Sequence, residues 1–162
     1  MLGQQLVREG RQIAFVRALE VTHLKRHTAW TLAQNEFKIP FAWAAVFIAQ
    51  RGWRQLGREG TGFAHASARQ LAAVALGPLV AAAISIAAIR SSWMVPAAGL
   101  VVGWAALTAP FIAFVSQRRG PVFGCCSILV TFVDHLVMAA GIACGTLAAL
   151  GLQPGWGRRA AT

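Results

Sequence analysis

RQLAAVALGPLVAAAISIAAIRSSWMVPAAGLVVGWAALTAPFIAFVSQRRGPVFGCCSILVTFVDHLVMAAGIACGTLAAL, residues 69–150, decides the fold. The stretch is almost continuously apolar. Two short polar points interrupt it, Arg90-Ser91-Ser92 and Gln117-Arg118-Arg119-Gly120. Three segments result, 70–89, 93–115 and 122–150. Each is long enough to cross a bilayer core, which needs about 20 apolar residues in helical form. Strands are excluded on two grounds: lipid leaves the edge of an open sheet without partners, and these runs lack the alternation of barrel strands. The sequence therefore predicts an integral membrane protein, mainly α, with three transmembrane helices.

Composition agrees. The chain of 162 residues has a mean hydropathy of +0.57 and is 57% hydrophobic but only 12% charged. A soluble domain is about a quarter charged. The apolar excess sits in the second half, so residues 1–69 are a separate, basic part too short for a large core of its own. The net charge of +10 raises the question of nucleic acid. Ten of the fifteen Lys and Arg residues, however, lie before the first span, where cytoplasmic positive charge orients insertion. Lipid headgroups are thus the expected partner, and nucleic acid is not. With the N-terminus inside, twelve of the fifteen cations stay cytoplasmic and the C-terminus lies outside. The opening residues have no apolar h-region, so no signal peptide is expected.

Within the spans, Gly77-Pro78 predicts a kink. Gly141-Ile142-Ala143-Cys144-Gly145 is a small-xxx-small seam suited to close helix contact. The three cysteines, Cys125, Cys126 and Cys144, have no metal spacing and read as small packing residues. Asp134-His135 is the sharpest polar signal, because an ionisable residue at that depth is costly and avoids lipid. It reads either as a functional site, a proton relay or a contact to a lipid-linked acceptor, or as a polar pair bonded to Ser127, Thr131 or Thr108. No second acidic residue lies in the spans.

Residues 30–68 precede the spans. Trp30, Phe37, Phe41, Trp43 and Phe47 alternate with Lys38, Arg51 and Arg54, the pattern of amphipathic helices lying in the membrane interface. Pro40 should divide or kink this segment. The apolar run 39–49 is too short for a fourth span. A Gly-rich loop follows at 57–68, and residues 152–162 form a polar tail.

Residues 1–29 hold fragments of elements rather than a domain: a helix end closed by Gly10, then short extended pieces at 11–16 and 19–24. Leu2-Gly3-Gln4-Gln5-Leu6, Gly10-Arg11-Gln12-Ile13 and Leu19-Glu20-Val21-Thr22-His23-Leu24-Lys25-Arg26 with Thr28 resemble the closing part of a family 2 glycosyltransferase domain, in its membrane-anchored bacterial version. The resemblance covers Leu2–Thr31 by motif and the rest by architecture only. It implies a small α/β remnant, a bacterial inner membrane location and cytosolic nucleotide sugar. It also implies a lipid-linked or polysaccharide acceptor, and a role for His23, Lys25 and Arg26 beside the donor diphosphate. A cationic strand end against lipid headgroups is the plain alternative for those three residues. The family's D-x-D metal motif and catalytic base are not in this chain, which has five acidic residues and a single Asp. No catalytic or metal-ligating residue is therefore assigned. A divalent metal is expected only in an intact member, and the chain reads as an anchoring segment inactive without a missing catalytic half. The rival is a small stand-alone membrane protein, an assembly partner or transport subunit, that uses Asp134 and His135.

Overall fold

The computed structural model describes Gly10, residues 28–49, Arg51 and residues 67–151. His23, Lys25, Arg26, the α/β remnant, most of the glycine-rich loop and the tail lie outside the described residues. Four helices make up the described part, with no strand among its residues: α1 (Ala29–Ala49), α2 (Ala68–Ile89), α3 (Met94–Arg119) and α4 (Pro121–Ala149).

Local chemistry sets the helix ends. Thr28 and Thr31 cap α1 reciprocally. The Thr31 N–H donates to Thr28 Oγ1 at 3.2 Å, and the Thr28 N–H donates to Thr31 Oγ1 at 2.8 Å. This is the capping-box exchange with threonine in the place of glutamate. Arg51, at φ +53°, closes the other end by donating its N–H to the Ile48 carbonyl. Ser67 caps α2 by accepting from the Gln70 N–H at 3.1 Å. After α2, extended Arg90 and one 3-10 turn, Ser91–Trp93, reverse the chain into α3. A single residue, Gly120, separates α3 from α4. Its φ of +93° and ψ of 162° fall in a region reserved almost entirely for glycine. Pro121 then opens α4 at the first helical position, where its missing N–H costs nothing.

α2, α3 and α4 pack on one another around Ala73, Val80 and Trp104, with Leu76, Leu100, Leu107 and Phe132 against them. Gly77 brings α2 onto α4: a methyl there would meet the His135 Cβ at 3.4 Å. All three helices are long and apolar enough to cross a membrane, with bounds close to those expected from sequence. Their large side chains face outward. Ile89 is 85% exposed, Val95 82% and Leu129 68%. In water this would be a severe aggregation liability, whereas lipid tails solvate it.

Of the break or kink expected at Pro40, the break does not occur. α1 is continuous through it, and Pro40 and Ala44 are buried. Packing accounts for this. Among the helices α1 touches α4 alone, and it does so backbone to backbone. A Cβ placed on Gly141 would overlap the Phe37 carbonyl oxygen, and one on Gly145 would overlap the Phe41 carbonyl oxygen. The small-xxx-small seam is therefore a helix contact, and its partner is α1. The pairing rises together in both helices, so α1 runs parallel to α4 along its C-terminal half.

Cys125 and Cys126 are exposed, Cys144 is half-buried and all three are free. The packing role expected of Cys125 and Cys126 is thus not met: both are exposed, and Cys126 lines a cleft between the helices.

Candidate functional site

Two internal arrangements shape the site. The first involves Arg69, at the start of α2. Its Nε donates to the Leu107 carbonyl at 2.6 Å and its Nη2 to the Ala106 carbonyl at 2.5 Å. Ala106 lies four residues before Pro110, which has no N–H to return to it. Arg69 therefore satisfies the carbonyl that Pro110 orphans. Proline is tolerated in spans when a neighbouring helix supplies this replacement.

The second is Trp104 and His135. The Trp104 Nε1–H donates to His135 Nδ1 at 3.0 Å, with the rings 5.9 Å apart and nearly perpendicular. Phe132 meets the other side of the indole edge-on, at 5.3 Å. Because Nδ1 accepts, the neutral imidazole carries its proton on Nε2. His135 is only 6% exposed, yet Nε2 has no partner among the described residues. It is not sealed in either, since no enclosed side-chain nitrogen or oxygen lacks a partner. His135 is one of the residues that line a cleft between the helices.

That cleft has a volume of about 730 Å³ and is walled by all four helices. Leu32, Leu107, Phe111, Val115, Phe123 and Val130 supply apolar walls. Glu36 of α1, Arg69 and Gln70 of α2, and Asp134 and His135 of α4 supply polar ones. Glu36 and Asp134 form no ion pair or hydrogen bond among the described residues, and Glu36 lies near enough for its charge to act on Asp134. Among the described residues the formal charge lining the cleft thus favours the acids, two against one guanidinium.

Asp134 and His135 are adjacent in sequence but diverge in role, because consecutive helical residues point in different directions. His135 turns to Trp104, and Asp134 faces the cleft, half-buried. The expected bonds from this pair to Ser127, Thr131 or Thr108 do not form. Ser127 donates to the Phe123 carbonyl, and Thr108 to those of Trp104 and Ala105.

Sequence reasoning missed Glu36, Arg69 and Trp104. Glu36 had a signal, an acid in an aromatic helix one turn before a proline, but its neighbours depend on how α1 docks. No group of three or more His, Cys, Asp or Glu residues able to hold a metal occurs among the described residues. No protein-family model matches the chain, and neither the curated proteins nor the solved structures include a match.

Proposed function

We propose that this chain is the membrane-anchoring C-terminal segment of a family 2 glycosyltransferase. It is a multi-pass protein of a bacterial inner membrane with its N-terminus in the cytoplasm and its C-terminus outside. In this reading a preceding catalytic half transfers sugar from a nucleotide donor, and the membrane part holds the lipid end of the acceptor. The chain is inactive alone because the base and the metal ligands of such enzymes are not among its residues. His23, Lys25 and Arg26 would stand beside the donor diphosphate, where cations offset charge on the leaving nucleotide.

One observation supports this reading above the others. Thr28 and Thr31, the end of the glycosyltransferase-like motifs, cap α1, and Leu32 and Glu36 just beyond them line the cleft. The chain passes directly from the one to the other. Arg118 and Arg119 end α3, on the side of the bundle where Arg69 begins α2, which suits a cytoplasmic face. The test compares sugar-labelled lipid from membranes of cells with and without the gene, given radiolabelled nucleotide sugars. Loss of one labelled lipid on deletion is expected, and unchanged labelling would overturn the reading. An in-frame sheet domain with a D-x-D motif upstream of Met1 is the matching genetic expectation.

Glu36 favours a second reading. It provides beside Asp134 the second acid that a transport subunit would use. Asp134→Asn separates the two: loss of proton-coupled flux with sugar incorporation intact selects transport.

A further inference from the structure

We infer that the cleft binds an amphiphile whose polar head is a protonated amine, with the ammonium between Glu36 and Asp134 and the chain along the apolar walls. Three observations converge. Both carboxylates lie in the cleft without a partner, and Arg69 already gives two of its donors to the carbonyls beside Pro110. In surroundings of low dielectric, such acids favour a ligand that brings its own positive charge and N–H donors. Independently, the almost fully buried His135 lines the same space, its ring fixed by Trp104 and its Nε2 without a partner among the described residues. It asks for an acceptor oxygen beside the amine. The volume of about 730 Å³ suits a head and the first part of its chains, since ligand sites run roughly 300–1,000 Å³.

An ammonium joined through two carbons to a phosphate meets all three demands, and this is the head of an ethanolamine phospholipid. A free long-chain amine shares the cationic half of that chemistry. The inference needs only the cleft and does not depend on sugar transfer, so the labelling experiment and the one below can fail separately.

The full chain is purified in detergent, exchanged into nanodiscs of mixed lipids, and assayed by native mass spectrometry for retained phosphatidylethanolamine, phosphatidylcholine and phosphatidylglycerol, then challenged with dodecylamine. Ethanolamine lipid should be retained at least tenfold over the other two. E36Q and D134N should each cut that preference severalfold, and the pair should abolish it. The two substitutions lie on different helices, so one remains informative if the other unfolds, and the thermal midpoint identifies that case. Displacement by dodecylamine identifies the amine as the recognised group. Retention of the phospholipid against dodecylamine, lost on His135→Ala, assigns the site to the whole ethanolamine-phosphate head. Equal retention of phosphatidylglycerol, or a preference unmoved by E36Q and D134N, would overturn the inference.

Discussion

Replacing Gly141 and Gly145 by alanine should detach α1, and the structure sets the size of the effect. A methyl at Gly145 would lie 2.9 Å from the Phe41 carbonyl carbon and 3.0 Å from its Cα, nearer still to its oxygen, whereas ordinary contacts run from 3.4 to 4 Å. At Gly141 the Phe37 carbonyl carbon stands at 3.2 Å. The obstacle is backbone, which cannot rotate away. α1 must therefore retreat by about 1 Å, enough to forfeit roughly a quarter to a half of each dispersion contact along the seam. Overpacking of this kind costs about 3 kcal/mol at the severe end. Alanine returns about 1 kcal/mol of helix propensity, leaving a net loss of about 2 kcal/mol per site. One retreat relieves both overlaps, so the two costs are not independent and the double substitution should fall well short of the sum of the single ones. Gly99 is the internal control, because nothing lies within 4 Å of a methyl there. Gly99→Ala should gain about 1 kcal/mol. Thermal unfolding in detergent gives the order of stability, and hydrogen exchange over residues 29–49 reports the release of α1. A Gly145→Ala protein as stable as Gly99→Ala, with α1 still protected, would refute the seam.

Three further outcomes follow from other contacts. Arg69→Ala should destabilise the protein by about 1–3 kcal/mol in the wild-type background, and by clearly less with Pro110→Ala, where the Ala106 carbonyl regains an intrahelical donor. A double-mutant cycle with no coupling would remove the capping role of Arg69. Trp104→Phe deletes one buried donor and should cost about 1 kcal/mol; nitrogen-15 spectra of the wild type should show His135 protonated at Nε2, and a proton on Nδ1 would contradict the bond to Trp104. Gly120→Ala forces a side chain into a backbone region closed to it and should cost about 1–3 kcal/mol, measured by the same thermal unfolding, and a neutral result would mean that the α3–α4 turn differs from the one described.

The three spans were legible because their evidence is local: residue after residue is apolar, and the breaks at Arg90 and Gly120 are visible in the chain. The glycine seam was legible for the same reason, but its partner was not. Nothing in the spacing of Gly141 and Gly145 selects Phe37 and Phe41 over another helix. Pro40 was legible only in part for a related reason, since the local rule counts the lost donor and cannot count the burial of Pro40 and Ala44 that keeps the helix unbroken. Asp134 stood out because its chemistry is discordant with its surroundings. Glu36 and Arg69 look like ordinary surface charge until α1 and α2 are docked. Their meaning lies in pairings across the fold, with Asp134 in one case and with the carbonyls near Pro110 in the other.

Among the described helices α1 adjoins α4 alone, whereas the other three brace one another. Because Leu32 and Glu36 are carried on it, the aperture of the cleft is governed by one seam and not by the bundle as a whole. The residue that caps α1, Thr28, stands one turn from Leu32 and two from Glu36, so the chain enters the helix beside the wall that it lends to the cleft.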